Sequence, residues 1–180
     1  MRKLRNDEIP RLRPEELGRI APHPVSVLVN NVRSLYNVGS IFRTSDAARI
    51  EHLYLTGITP TPDHPGLQKT ALGAQDTVPW SAVSNPVDVI ERLRRQGYTI
   101  AALEITDAPT AIADIATHHF PLCLILGHEV HGVSDDLLAL SDLALEIPQY
   151  GTKQSLNVAV AYGIAVYGIV ERYRTLHAGS

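Results

Sequence analysis

The sequence predicts an α/β fold: a single domain built on a mostly parallel sheet with helices on both faces. From residue 25 onward, apolar β-branched segments alternate with segments of helical spacing, an order typical of parallel sheets. Several strand segments, among them 25–31 and 121–127, are largely apolar, which is typical of strands covered on both faces. The length of 180 residues fits one domain.

The individual elements follow from apolar spacing and from signals at helix ends. The helix at 84–97 is the best defined, because Ser84 or Asn85 can cap it, Pro86 opens it and Gly97 ends it. Residues 59–75 are rich in turn residues and predict a loop with one helical turn. The other predicted helices are 37–49, 110–116, 134–141 and 155–176, and the predicted strands are 25–31, 52–58, 78–83, 98–105, 121–127 and 143–148.

Residues 1–24 are basic and contain several prolines, which predicts an N-terminal arm with a short helix around Pro14–Ile20, ahead of a domain at 25–180. The net charge is −3, yet residues 104–146 hold eight acids and no Lys or Arg. A polyanion would therefore meet the N-terminal part of the chain. An uneven surface without a binding role explains the same charges equally well. The bases of the arm are Arg2, Lys3, Arg5, Arg11 and Arg13.

The composition also bounds the compartment and the cofactor class. No apolar stretch is long enough to span a bilayer and the basic N-terminus lacks the apolar run of a secretory signal, so we expect a cytoplasmic protein without a membrane segment. The single cysteine, Cys123, lies in an apolar strand and is interpreted as a small buried hydrophobe. The glycine signatures of dinucleotide, nucleoside triphosphate and hydrolase sites do not occur in the sequence.

Three loops that follow predicted strands carry unusual polar residues, and in parallel sheets this edge is where ligands bind. In the first loop, Asn31, Asn37, Gly39 and Arg43 lie between a strand and a helix. A guanidinium near a helix N-terminus suits a phosphate. The alternative is that the Asn residues cap the helix and that Arg43 is an ordinary surface residue.

The second loop runs from Gly127 to Gly132 around Glu129, and its two glycines indicate positive φ or close contact with a flat ligand. His128 and His131 have no third matched ligand, so we expect no metal.

The third loop contains Gly151 and leads to Ser155, Leu156 and Asn157 at the predicted start of the last helix. Ser155 is a good helix cap, and this structural role is the alternative to a role in ligand binding. Asn157 in the first helical turn can offer both a donor and an acceptor.

In this order, the three loops resemble the three motifs of the SpoU (TrmH-like) family in the SPOUT superfamily of RNA 2′-O-methyltransferases. The resemblance covers roughly residues 25–175 and has small departures at Gln149 and Ala159. It implies a C-terminal trefoil knot, which general folding rules do not predict. The residues that carry it are Asn31, Asn37, Gly39 and Arg43, then Gly127, Glu129 and Gly132, then Ile147, Pro148, Gly151 and 155–158.

The resemblance also implies a cofactor, S-adenosylmethionine, bound bent in the knot by backbone groups of the second and third motifs. The sulfonium is already activated, so the protein must mainly align the reacting atoms. The resemblance implies a catalytic role for Arg43, either as a base or as an electrostatic clamp. Because a guanidinium is very hard to deprotonate, we interpret Arg43 as a clamp on the target phosphate and ribose oxygen. The implied cofactor-binding residues are Leu103, Gly127, Ile147, Ser155 and Leu156.

The remaining implied catalytic residues are Asn31 and Asn157, which would orient groups around Arg43, and Glu129. Glu129 would either accept hydrogen bonds from Arg43 or Asn31, or serve the loop structurally. An RNA-binding factor that kept the fold and lost catalysis is the rival hypothesis from another class. Only about 24 residues precede the domain, which favours tRNA over rRNA as the substrate.

The last helix predicts a homodimer, since residues 158–170 contain no charged side chain. A helix that is apolar all round must be buried all round, and one sheet covers only one side of a terminal helix. Ala159 and Gly163, four residues apart, would let a second helix approach closely. The alternative is that the N-terminal arm or a neighbouring helix of the same domain covers this face.

Overall fold

The structure, a computed structural model, describes residues 1–5, 7–9, 16 and 20–178. Most of the short arm helix predicted around Pro14–Ile20 lies outside the described residues. The strands are β1 (His23–Asn30), β2 (Ile50–Thr56), β3 (Trp80–Val83), β4 (Thr99–Leu103), β5 (Thr110–Ala111), β6 (Leu122–Leu126) and β7 (Leu143–Glu146). The helices are α1 (Leu35–Ala48), α2 (Pro65–Ala71), α3 (Pro86–Arg95), α4 (Asp135–Ala139) and α5 (Val158–Leu176).

The seven strands form one parallel sheet in the order β3-β2-β1-β6-β4-β7-β5. The central strand, β6, is entirely apolar and is buried along its whole length. Because all strands point the same way, the loops that follow β1, β6, β4 and β7 meet at one edge. Cys123 is fully buried in β6, and burial raises its thiol pKa to about 12.

Helices cover both faces of the sheet, so the predicted α/β class is confirmed. On one face, α1, α2 and α5 bury Phe42, Leu67 and Val166 in a large core. On the other face, α3 and α4 bury Ile90 and Leu137 in a smaller core. The trefoil knot stays a prediction. Within the described part of the chain, no helix is both long and apolar enough to cross a membrane.

Three predicted elements differ from the observed ones. The helix predicted at 110–116 is a two-residue strand followed by a short 3-10 turn, because Thr110 and Ala111 pair with β7 at the edge of the sheet. The loop predicted at 59–75 contains a seven-residue helix, α2, opened by Pro65. The last helix begins at Val158 rather than at residue 155, with Asn157 as its cap.

A buried hydrogen bond joins α1 to α5. The hydroxyls of Ser45 and Tyr162 lie 2.7 Å apart, and neither residue is exposed to solvent. Burial raises the pKa of Tyr162, so its hydroxyl stays protonated. This bond fixes the helix that follows the first loop against the helix that follows the third.

Candidate active site

A cavity of about 250 Å³ opens at the carboxyl ends of β4, β6 and β7. Its walls come from the three strand ends, from the loop after β6 and from the approach to α5. The apolar part of the wall includes Leu126, Leu145 and Val158. All five residues that the resemblance assigns to the cofactor line this cavity, namely Leu103, Gly127, Ile147, Ser155 and Leu156. The structure therefore brings these residues together, as the sequence predicted.

The loop after β6 is closed by the chain's own backbone. His128 and Gly132 exchange two backbone hydrogen bonds, of 2.9 and 2.8 Å, and Gly132 has φ +68°. A Cβ on Gly127 would lie closer than 3.0 Å to backbone atoms of Gly132 and Val133. The close contact that requires glycine at 127 is thus with the opposite side of the loop, and Gly132 has the positive φ that the sequence analysis gave as one alternative.

Glu104 braces this loop from the end of β4, a role that the sequence analysis missed. Its Oε2 accepts a hydrogen bond of 2.9 Å from the backbone N–H of Val133, and its Oε1 accepts one of 2.9 Å from the N–H of Ile105. The same carboxylate fills the space that a side chain at Gly132 would need. The sequence did contain a signal for Glu104, because it is a charged residue directly after an apolar strand, at the edge of the sheet where ligands bind.

Asn157, not Ser155, caps the last helix. Its Oδ1 accepts hydrogen bonds from the backbone N–H groups of Ala159 (2.9 Å) and Val160 (3.3 Å). Ser155 is exposed and lies at the cavity with Leu156. Two suitable cap residues stand close together in this loop, and the one nearer the helix fulfils the role.

A chain of side-chain hydrogen bonds connects all three loops. Asn157 donates from Nδ2 to Oδ1 of Asn37 (3.0 Å), and Asn37 donates from Nδ2 to Oε1 of Glu129 (3.1 Å). Glu129 also accepts from the backbone N–H groups of Arg33 (3.2 Å) and Ser34 (2.9 Å), and so holds the start of α1. The alternative in which Glu129 accepts from Arg43 or Asn31 is therefore wrong, and the alternative of a structural role in the loop agrees with these contacts. Asn37, a residue of the first motif for which the sequence indicated no role, is the central member of this chain.

Glu129 is held as a carboxylate. Partial burial by itself would raise its pKa, but the hydrogen bonds donated by Ser34, Arg33 and Asn37 outweigh burial and lower it below the usual value. An ionised Glu129 can accept from all three donors, whereas a protonated one would have to give up part of this set.

Asn31 lies apart from that chain. It has a left-handed backbone with φ 59°, and its Oδ1 accepts a hydrogen bond of 3.1 Å from the N–H of Ile58. Asn tolerates this backbone better than most residues do. Asn31 therefore joins the end of β1 to the turn that follows β2.

Arg43 lies on the exposed surface of α1, two turns beyond its capped N-terminus. Gly39, one turn earlier, is buried instead, because a Cβ there would lie closer than 3.0 Å to Thr70 of α2. The close approach that Gly39 permits is thus that of a neighbouring helix. Arg43 and Gly39 therefore do not share one ligand-facing surface.

The two loop histidines lie together at the cavity. The ring centroids of His128 and His131 are 4.8 Å apart, and Nδ1 of His128 accepts from the N–H of Val130 at 3.0 Å. Because that nitrogen is an acceptor, the neutral ring carries its proton on Nε2. Among the residues that the structure describes, no group of three His, Cys, Asp or Glu side chains is placed to hold a metal ion.

Comparison with known proteins identifies the family. Residues 24–167 match the SpoU rRNA Methylase family, and the chain belongs to it. The chain is 30% identical over 160 residues to a tRNA (guanosine(18)-2′-O)-methyltransferase of Thermus thermophilus, covering 89% of this chain and 81% of the relative. It is 31% identical to the 23S rRNA (guanosine-2′-O-)-methyltransferase RlmB of Nitrosomonas europaea, covering 85% of this chain and 58% of that protein.

Solved structures agree with this assignment. The TrmH/SpoU tRNA modifying enzyme of A. aeolicus superposes with a TM-score of 0.78 at 27% identity, covering 90% of this chain and 82% of the other. The AdoMet-bound rRNA methyltransferase of Sinorhizobium meliloti superposes with a TM-score of 0.77 at 28% identity, covering 86% of this chain and 59% of the other.

Proposed function

We propose that this protein is an S-adenosylmethionine-dependent methyltransferase that modifies a ribose 2′-hydroxyl of tRNA. The observation that carries the proposal is the convergence of Leu103, Gly127, Ile147, Ser155 and Leu156 on one cavity. These residues come from the end of β4, the loop after β6 and the segment between β7 and α5, which are far apart in sequence. The same cavity lies beside the hydrogen-bonded chain that holds the start of α1, the helix that bears Arg43.

The cavity suits the cofactor chemically. Its apolar strand ends can cover an adenine, and its loop backbone offers donors and acceptors at fixed positions. The carboxylates of Glu104 and Glu129 suit a positively charged group. When bound, S-adenosylmethionine supplies an activated methyl group. We propose residues 25–180 as the methyltransferase domain and residues 1–24 as a basic arm that contacts RNA.

The chain's own residues would position the reaction. Arg43, exposed on α1, would clamp the target phosphate and stabilise the negative charge that develops on the ribose oxygen as its proton passes to solvent water. Glu129 and Asn37 fix the first turn of α1, so that they act on Arg43 through the helix. Asn157 ties this arrangement to α5. We assign Asn31 a supporting role at the end of β1.

The tRNA substrate is supported by the Thermus thermophilus relative, which is named as a tRNA methyltransferase and matches this chain over 81% of its own length. An rRNA substrate is the second candidate, because an enzyme named for 23S rRNA matches at similar identity. A catalytically inactive RNA-binding factor is disfavoured by the intact cavity and by the retained Arg43. For an RNA-modifying role we expect a cytoplasmic location.

The test is methyl transfer to total tRNA and, separately, to rRNA, followed by mass spectrometry of the digested nucleosides. We expect a 2′-O-methylated nucleoside from tRNA. Arg43→Ala should lower turnover roughly 100- to 1000-fold, the range for removing a charge-stabilising donor, with nearly unchanged cofactor affinity. Arg95→Ala, on the exposed side of α3, is the matched control. Wild-type turnover of Arg43→Ala would refute the clamp, and transfer to rRNA alone would refute the tRNA assignment.

We further propose that two copies pair through α5. One side of this helix packs on the core of its own domain, while Val160, Ile164 and Tyr167 on another side are 52%, 47% and 51% exposed. These residues are spaced i, i+4 and i+7, so they form one apolar stripe. A Cβ added at Gly163, beside this stripe, would meet no other atom within 4 Å. A second copy of the same helix would cover the stripe symmetrically.

Sedimentation at micromolar concentration tests the pairing. The wild-type protein should sediment as a dimer, and Gly163→Arg should give monomers or aggregates, since a long charged side chain would enter the interface. The control is Gly151→Arg, which should remain a dimer, because a Cβ at Gly151 also meets no atom within 4 Å. Gly97 is unsuitable for this purpose because its φ is positive. A monomeric wild-type protein would contradict the dimer.

A further inference from the structure

The charge of the cavity has one sign. Two carboxylates line it, those of Glu104 and Glu129, and no Lys or Arg is among its lining residues in the part of the chain that the structure describes. Its other polar lining groups are histidine, glutamine and serine side chains and the loop backbone. A cavity with this charge should favour a cation over a neutral molecule of the same shape.

Glu104 is the carboxylate that belongs to the cavity wall itself. Glu129 is occupied by Arg33, Ser34 and Asn37, and its role is at the start of α1. Glu104 accepts one backbone N–H on each oxygen, from Ile105 and Val133, and both hydrogen bonds are 2.9 Å long. A carboxylate can accept about four hydrogen bonds, so acceptor capacity remains. Its position is fixed before any ligand arrives.

We propose that Glu104 is a specificity-determining residue that makes the cavity prefer the positively charged sulfonium of S-adenosylmethionine over the neutral sulfide of S-adenosylhomocysteine. The inference rests on the proposed methyltransferase function. Substrate and product of the transfer differ by one methyl group and one positive charge, so a fixed carboxylate is a direct means of telling them apart. Release of the product would follow from the loss of that charge.

A purely structural Glu104 would behave differently. If its only role were to brace the loop through Val133, its removal would weaken every ligand of the cavity by a similar factor. If its charge selects the sulfonium, its removal weakens cationic ligands more than neutral ones. The ratio of two affinities therefore separates the two roles, whereas activity alone does not.

The experiment is calorimetry of the full-length protein with three probes: S-adenosylmethionine, S-adenosylhomocysteine and sinefungin, which carries an ammonium group in place of the sulfonium. The wild-type protein should bind both cationic probes roughly tenfold more tightly than the sulfide, a modest preference because solvent screens a partly exposed carboxylate. Glu104→Gln should bring this ratio to within about threefold of unity. Glu104→Asp, which keeps the charge, should retain most of the ratio even if all affinities fall. Glu91→Gln, the same charge change on α3, should keep the wild-type ratio.

Two results overturn the proposal: a wild-type protein that binds the sulfide as tightly as the cationic probes, or a Glu104→Gln variant in which all three affinities fall by the same factor. Circular dichroism checks that each variant is folded. If Glu104→Gln does not fold, the ratio of the wild-type affinities for the cationic probes and for the sulfide is compared at low and high salt. An electrostatic preference shrinks as salt rises, whereas a steric preference does not. If no probe binds the wild-type protein, the proposed function itself fails, which is a separate outcome.

Discussion

Replacing Gly127 by alanine tests the link between the loop after β6 and cofactor binding. The new Cβ would lie closer than 3.0 Å to the backbone of Gly132 and Val133, a separation that side chains do not adopt. Because the obstacle is the backbone of Gly132 and Val133, no side-chain rotation relieves it. The loop must open, and the two hydrogen bonds between His128 and Gly132 would be lost.

The cost follows from those two bonds. Each contributes about 1 kcal/mol, so opening the loop costs about 2 kcal/mol, and strain that remains adds up to about 1 kcal/mol more. A ligand that needs the closed loop must regain this energy from its own binding. Affinity for S-adenosylmethionine should therefore fall roughly 30- to 150-fold. Residues 129–131 are exposed, so the core should remain packed and the protein folded.

Calorimetry with S-adenosylmethionine and thermal unfolding of the same samples measure the two effects. The matched control is Gly151→Ala in the third loop, where a Cβ meets nothing within 4 Å, and its affinity should equal that of the wild-type protein. Unchanged affinity in a folded Gly127→Ala protein would show that the closed loop is not needed for binding. An equal loss in Gly151→Ala would show that the assay does not report loop closure.

Further predictions concern stability, pH and RNA binding. Tyr162→Phe and Ser45→Ala should each lower the free energy of unfolding, measured by urea titration, by about 1–2 kcal/mol, since each leaves a buried hydroxyl without its partner. The double variant should lose less than the sum of the two single losses, and strict additivity would contradict the coupling. Because the pKa of Glu129 is lowered on folding, its stabilising contribution is present above the unfolded pKa and is lost as pH falls through the folded one. Glu129→Gln should therefore flatten the acid side of the urea midpoint plotted against pH, and a midpoint curve that keeps the wild-type shape would contradict this role. Deleting residues 1–13 should weaken RNA binding and reduce its salt dependence, and an unchanged salt slope would exclude the arm as an RNA contact.

The fold class was predictable because its signals are local. Alternating apolar strands and helices specify a parallel sheet, and the largely apolar segments 25–31 and 121–127 became the adjacent strands β1 and β6 in the middle of the sheet. The helix at 84–97 was predicted from its ends, and in the structure Asn85 caps it by accepting from the N–H of Val87 at 3.2 Å. Caps and apolar spacing act within one or two turns, so the sequence of a short window contains them.

The location of the site was predictable for a related reason. In a parallel sheet all strand ends point to one edge, so polar loops after separate strands must lie near one another. The five residues assigned to the cofactor meet at this edge, around one cavity. Their meeting required only the sheet direction, not the details of any side chain.

The contacts inside the site were decided by the tertiary structure alone. Asn37 joins residues 92 and 120 positions away in sequence, Glu129 and Asn157, and Glu104 reaches Val133 from the end of another strand. Local propensity does not predict such pairs, because they depend on strand order and on the packing of α1 against α5. The same limit explains the cap of the last helix: Ser155 and Asn157 are both good cap residues, and the path of the chain from β7, together with the hydrogen bond to Asn37, selects Asn157.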